Sequence, residues 1–227
     1  MRNKFRFIVL EGSDGSGKAT QTKLLSAQLK KNNFIAKTIS FPQYNCASSY
    51  FVKQYLRGAY GAKEEVSPYT ASLFYALDRW EAKEKIKKWL KQNFMVIADR
   101  YLPSNLAHQG AKIKNAQERK KFYQWALEME YKKLFLPRPD IIFLLHLPAE
   151  ISFELIEHKK KRNYLKGGKR DIHEKDLIYL KKVEAVYLEI ARLFNKEFKI
   201  IECVENKKLL SPKEISQKIG KVLAKNI

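Results

Sequence analysis

Phe7-Ile-Val-Leu-Glu-Gly-Ser-Asp-Gly-Ser-Gly-Lys-Ala-Thr20 is the stretch that decides the fold. An apolar β-branched run ends at Glu11, a glycine-rich turn follows, and Lys18 opens a segment with helical spacing. Gly12, Gly17 and Lys18 stand at the spacing of a phosphate-binding loop between strand and helix. Such a loop needs glycines so that successive N–H groups can turn toward an anion, which the positive end of the helix dipole then favours. Gly12, Ser13, Asp14, Gly15, Ser16, Gly17, Lys18, Ala19 and Thr20 are therefore the candidate nucleotide-phosphate contacts, with Lys18 meeting the outer phosphates as a mobile point charge. The pattern normally closes with Ser or Thr directly after the lysine, to hold Mg²⁺. Here Ala19 occupies that place and Thr20 follows. One step turns a helical side chain by about 100°, so Thr20 is no simple replacement.

Outward from this loop, short apolar runs alternate with helix-periodic segments. Phe5 to Leu10, Ile35 to Ser40, Phe94 to Ala98, Ile141 to Leu147 and Phe198 to Val204 read as strands. Several are apolar without alternation, as strands covered on both faces of a parallel sheet are. Lys18 to Lys31, Tyr69 to Lys91, Gln117 to Leu134 and Asp176 to Phe194 have helical spacing. In the last, Leu177, Leu180, Val183, Val186, Tyr187, Ile190, Ala191 and Phe194 form a core-facing stripe. Strand–helix alternation of this kind predicts a doubly wound α/β domain. No repeat or Pro/Gly-rich linker divides the chain, which predicts one domain over residues 1–227. The one compositional break is His158 to Arg170, with seven Lys or Arg residues and no acid. Its charges repel one another, so it reads as a basic lid at about 158–173, or as a plain solvated turn.

The 227 residues are 45% hydrophobic and 12% aromatic, enough for a buried core and against a wholly disordered chain. Forty-five Lys plus Arg against 24 Asp plus Glu leave a formal charge of +21. That excess favours polyanionic partners, or is lysine-rich solvated surface. The basic and apolar opening residues are cut short by Glu11 and Gly12, so neither a leader nor a bilayer-spanning segment is expected. Cys46 and Cys203 offer no disulfide framework and no metal-ligand spacing; two buried, inert thiols and a cytoplasmic location are expected.

Asp99-Arg-Tyr-Leu-Pro-Ser-Asn-Leu-Ala-His-Gln-Gly110, straight after the third strand, resembles the thymidylate kinase signature DRYxxSxxAxQ. Phe41-Pro42, Leu73-Phe-Tyr-Ala-Leu-Asp-Arg-Trp80 and Arg170-Asp-Ile-His-Glu174 fall in that family's order. The similarity runs from about Phe7 to Leu193. It implies a P-loop nucleoside monophosphate kinase that converts ATP and dTMP to ADP and dTDP with Mg²⁺ in dTTP biosynthesis. The implied fold is a three-layer P-loop architecture, a five-stranded parallel sheet flanked by helices with a basic lid. The implied assembly is a homodimer. Membrane and nucleic-acid partners are not expected.

The resemblance also assigns roles. Asp14 would accept from the deoxyribose 3′-hydroxyl, Arg100 would grip the dTMP phosphate, and Asp99 would order the Mg²⁺ hydration shell, with Thr20 as a further metal candidate. Arg79 would donate to the thymine carbonyl, and Asn105 would read the base edge from the far side. Gln109, the last residue of the signature, joins the substrate set. Phe41 and Leu56 would supply apolar walls, and Tyr44 would stand near the acceptor phosphate. Tyr75 lies one helical turn before Arg79 and so shares its face, which favours it over Phe74 as the ring on thymine. His108 takes the place of a family Tyr or Phe beside the sugar C2′ position, either excluding a ribose hydroxyl or serving as a hydrogen-bonded structural residue. Gln43 and Gly15 stand where some members carry arginines. Members without the phosphate-loop arginine draw catalytic arginines from the lid, so Arg170 is the first candidate there and Arg162 the second.

Two other readings compete. A deoxynucleoside kinase must activate a neutral 5′-hydroxyl with a carboxylate, for which Glu11 or Asp99 would serve; the DRYxxSxxAxQ run argues against it. A degraded phosphate-loop protein that binds nucleic acid would use the +21 surface, with Ala19 as its motive. Its mark would be steeply salt-dependent DNA binding without turnover.

Overall fold

In a computed structural model, which describes residues 5–62, 65–163 and 177–224, five parallel strands form one sheet. In chain order these are β1 (Phe7–Glu11), β2 (Ala36–Ser40), β3 (Met95–Asp99), β4 (Ile141–His146) and β5 (Phe198–Glu202). Their spatial order is β2-β3-β1-β4-β5, with β1 at the centre and Leu10 in register with Asp99 and Phe143. This is the five-stranded parallel α/β architecture that the sequence predicts.

The missing alternation in the strands has a direct cause, since each face of the sheet has its own core. On one face Ile8, Leu10, Ile97, Phe143 and Leu145 pack against Leu25 and Leu29 of α1 (Lys18–Lys31) and Ile215, Ile219 and Leu223 of α9 (Pro212–Ala224). On the other, Phe7, Val9, Val96, Ala98 and Leu144 meet α5 (Leu102–Gly110), α6 (Ala116–Leu127) and α8 (Leu177–Leu193). The α8 stripe buries Leu180, Val183, Val186, Tyr187, Ile190 and Ala191, as its spacing predicts.

The predicted helix over Tyr69 to Lys91 is two helices, α3 (Pro68–Glu81) and α4 (Lys83–Lys91), which meet at Ala82. Ser67 caps α3 by accepting from Thr70 N at 3.0 Å, with Pro68 in the first turn. A short α2 (Tyr50–Leu56) precedes them. Beyond α6 the helix continues as a π-helical turn, Glu128–Lys133, and α7 (Ala149–Asn163) leads out of β4. The expected lid at about 158–173 overlaps the end of α7 and otherwise lies outside the described residues; the side chains of 157–163 do too. The two cysteines are free. Cys203 is buried, and burial pushes its thiol up to about 12. Cys46 is exposed, against the expectation of two buried thiols, because it lies in the loop between β2 and α2 rather than on a packed element.

The sheet's carboxyl edge is tied to α7 and α8 by a histidine. His146 Nε2 lies 2.9 Å from Glu184 Oε1 and its Nδ1 lies 2.6 Å from Glu202 Oε2. Glu184 Oε2 also accepts from Ala149 N at 2.8 Å, at the start of α7. The Glu184 hydrogen bond, joined by Glu202, lifts the imidazole from 6.5 to about 9. A pKa raised by folding means stability that is complete below 6.5 and lost as pH rises through about 9. The difference in unfolding free energy between wild type and His146→Asn should therefore be largest below 6.5 and fade above about 9. A difference independent of pH would contradict the ion-pair account.

Candidate active site

The carboxyl ends of β1 and β3 open into a cleft of about 880 Å³, built from the loop after β1, the segment after β2, α3, and the start of α5. In open parallel sheets ligands bind at this edge. The loop Gly12–Gly17 turns through positive φ at Gly12, Gly15 and Gly17 (140°, 84° and 85°). Gly12 has no substitute: a Cβ there would lie 2.5 Å from Leu145 O. Lys18 is buried and donates to Gly12 O at 3.1 Å and Ser13 O at 2.8 Å, folding over its own loop. Burial, followed by the neighbouring Arg100 charge, depresses the ammonium to about 8. Ser152 Oγ of α7 donates to Asp14 O and fastens the loop to that helix.

Glu11, at the end of β1, is fully buried. Its Oε1 accepts from Tyr101 N at 2.7 Å and Ser104 N at 3.2 Å. Its Oε2 accepts from Ser104 Oγ at 2.5 Å and Tyr187 OH at 3.1 Å. Burial raises its pKa against these donors. With every oxygen engaged it has no free lone pair for a substrate hydroxyl, which removes it as the base that the nucleoside-kinase reading needs. It acts instead as an N-terminal anchor for α5. Arg100, just before that helix, has φ 68°, and its N–H donates to Leu10 O at 2.9 Å. Its guanidinium pairs with Asp14 and donates to Ser104 Oγ at 3.0 Å. Although burial alone would raise the Asp14 carboxyl, Arg100 and Lys18 hold it well below the usual carboxylate range.

Helices α3 and α5 add a ring and two amides to the cleft, Tyr75, Asn105 and Gln109. Tyr75 faces the cleft and meets Tyr55 edge-on at 6.3 Å. Phe74 points away and stacks on Phe51 at 5.7 Å and 13°. Asn105 gives Nδ2 to Ser72 O at 3.4 Å, while its Oδ1 is buried without a partner among the described residues. Gln109 is completely buried, and neither amide atom has such a partner. His108 Nδ1 lies 3.2 Å from Tyr179 OH, whose own proton goes to His108 O at 3.1 Å. His108 Nε2 lies 3.5 Å from Arg100 Nη1, which can only donate, so the ring bridges Tyr179 and the Arg100 guanidinium.

Of the residues singled out from the sequence, Asp14, Gly15, Gly17, Lys18, Ala19, Thr20, Phe41, Tyr44, Tyr75, Arg79, Asp99, Arg100, Asn105, His108 and Gln109 all line this one cleft. Gly12, Ser13 and Ser16 lie buried in the loop behind it. Leu56 is elsewhere, packed on Tyr55, Val66 and Ala71. Arg170 lies outside the described residues, and so does the side chain of Arg162. Sequence reading missed Asp78, which is buried and shapes the cleft wall. Its carboxylate accepts from Gln43 N at 2.8 Å and Ser48 Oγ at 2.5 Å, on the loop that follows the cis Phe41–Pro42 bond. An acid inside the apolar α3 pattern, next to Arg79, was the available signal.

A family model described as thymidylate kinase matches residues 10–214. A thymidylate kinase of Mycobacterium tuberculosis (strain ATCC 25618 / H37Rv) is 32% identical over 186 residues, covering 81% of this chain and 85% of the relative. A probable thymidylate kinase of Methanocaldococcus jannaschii is 34% identical over 189 residues, covering 83% of each. Among solved structures, thymidylate kinase from Candida albicans superposes with a TM-score of 0.71 at 25% identity, covering 98% of this chain and 92% of that one.

Proposed function

The chain belongs to the thymidylate kinase family, a family of nucleoside monophosphate kinases, and from that premise we propose that it transfers the γ-phosphoryl group of ATP to dTMP, giving ADP and dTDP for dTTP synthesis. One observation carries this reading. Lys18 and Arg100 line a single cleft together with Tyr75, Arg79, Asn105 and Gln109. Cations for a phosphate and a ring with side-chain amides for a base, in one cleft, suit a nucleoside monophosphate.

The acceptor supplies its own nucleophile. A phosphate monoester has its second pKa near 6, so dTMP is largely a dianion at neutral pH and needs no general base. The chain must instead bring two polyanions together and balance the charge of a loose, in-line transition state. Lys18 would lie along the ATP phosphates, and Arg100 would exchange Asp14 for the dTMP phosphate, which it can grip with two donors. Asp14, released, would accept from the 3′-hydroxyl. Tyr75 would lie on the thymine ring, Arg79 and Asn105 would bind its polar edges, and Phe41 and Tyr44 would close the cleft. Arg170, then Arg162, are the lid cations proposed for the migrating phosphoryl group, within one domain over residues 1–227.

Asp99 and Thr20 line the same cleft as Lys18, while Ala19 brings no hydroxyl. Hard oxygen donors in so small a number fit Mg²⁺, which keeps several waters and shares substrate phosphates. Asp99 would hold it through water, with Thr20 the hydroxyl at hand. Bound there, Mg²⁺ would offset the negative charge on the phosphates.

Titration calorimetry tests the substrate reading. dTMP should bind, and thymidine, which lacks the phosphate for Arg100, should bind at least about tenfold more weakly. Equal affinities would sink it.

A homodimer is proposed as well. Tyr69, Leu73, Leu77 and Trp80 are exposed along α3 at steps of four, four and three, so they share one face. An apolar stripe of that kind marks a protein contact. In sedimentation the wild type should run as a dimer and Leu73→Glu/Leu77→Glu as a monomer. A monomeric wild type would contradict the proposal. No described helix is long and apolar enough to cross a membrane, and the free cysteines suit the cytoplasm proposed for it.

A further inference from the structure

Arg79 is gripped from behind. Its Nε donates to Glu130 Oε2 at 2.7 Å and its Nη2 to Glu130 Oε1 at 2.5 Å. The two side chains are 2% and 0% exposed. The guanidinium also lies over the Tyr101 ring, 5.9 Å from its centroid. A buried ion pair adds little net stability over well-packed apolar residues, so stability alone does not account for a charge at position 130. What the pair fixes is direction. With Nε and one N–H of Nη2 given to Glu130, Nη1 is the Arg79 nitrogen without a hydrogen-bond partner among the described residues, and Arg79 lines the cleft.

The backbone is built around this acid. Glu130 sits on the π-helical turn Glu128–Lys133, with Leu134 N donating to Met129 O at 2.9 Å and Leu136 N to Glu130 O at 3.0 Å. Such turns are uncommon and are found mainly at functional sites.

We propose that Glu130 is a positioning residue for base selection: by holding Nε and one N–H of Nη2 it turns the opposite edge of Arg79, headed by Nη1, to the acceptor oxygen at position 4 of a pyrimidine, and so favours 4-oxo bases over 4-amino ones. This rests on the dTMP reading above. A donor aimed at that position pairs with a carbonyl oxygen and meets an unfavourable donor in a cytosine amino group. A loosened guanidinium can swing away and loses this discrimination.

The test is kcat and KM for dTMP and dCMP in wild type, Glu130→Gln, Glu130→Asp, Arg79→Gln and the Arg79→Gln/Glu130→Gln pair, with folding followed by circular dichroism. Glu130→Gln should raise the dTMP KM roughly tenfold or more with a smaller change in kcat, and shrink the dTMP-over-dCMP ratio of kcat/KM by a similar factor. Glu130→Asp, which keeps the charge but retracts it, should fall between; if Glu130→Gln does not fold, this variant decides. In the Arg79→Gln background the second substitution should leave the ratio unchanged, because Glu130 acts only through Arg79. An unaltered ratio in a folded Glu130 variant, or a further loss in that background, would overturn the proposal while leaving the kinase reading intact. A wild type that ignores dTMP would instead overturn the reading beneath it.

Discussion

Replacing Lys18 with alanine is expected to lower kcat/KM for ATP by on the order of 10³-fold without lowering stability. The lysine ammonium is desolvated beside a second cation, Arg100, and for both reasons its pKa falls to about 8. Among the described residues its hydrogen bonds go to the carbonyls of Gly12 and Ser13 in its own loop. Removing it relieves that strained charge, so the melting temperature should hold or rise. A polyphosphate supplies the negative charge the lysine lacks, and the loss then falls on ATP and on the transition state. The same depressed pKa gives a pH signature. Phosphate binding needs the ammonium form, so wild-type affinity for ATP should weaken as pH rises past about 8, and the alanine variant should show no such step. Kinetics and calorimetry across that range check both points. A variant with wild-type kcat/KM would contradict the account of the loop.

The second large effect is on folding. Glu11→Ala is expected to destabilise the protein by about 3–5 kcal/mol in denaturant unfolding, because it strands buried donors. Tyr101 N and Ser104 N would lose the carboxylate that anchors the start of α5, and the Ser104 and Tyr187 hydroxyls would lose their acceptor. Arg100 depends on that anchor, since its positive φ holds only while the strand end and the helix start are pinned together. Turnover of dTMP should therefore fall by more than the unfolded fraction explains. A loss below about 1 kcal/mol would mean that water takes over the stranded groups, and Glu11 would then be no anchor.

The sheet was legible because burial on both faces leaves a plain trace, strands without alternation. The helix over Tyr69 to Lys91 was half legible. Its apolar period continues through Ala82, which has no glycine or proline to mark the break, yet Ile86 of α4 turns to the sheet core while Tyr75 and Arg79 of α3 face the cleft. Helix α9 went unread although Ile215, Ile219 and Leu223 repeat at four-residue steps and Ser211 and Glu214 cap it reciprocally. At the site, the loop glycines, Lys18 and the segment from Asp99 carry local signatures. The acids behind them do not, because their partners lie far along the chain. Glu130 continues the buried face of Phe122 and Ala126, a sign that an acid enters the core, but nothing local says that its partner is Arg79, 51 residues away. Leu56 shows the reverse error: an apolar residue near the cleft in sequence order that packs with Tyr55 instead.

The most direct test is product formation from ATP and Mg²⁺ with dTMP, dUMP, UMP, CMP and thymidine in turn, with Lys18→Ala as control. The account predicts ADP and dTDP, fastest with dTMP and abolished in the variant. Preference for thymidine, with dTMP as product, or DNA binding that weakens steeply with salt and no turnover of any acceptor, would contradict it.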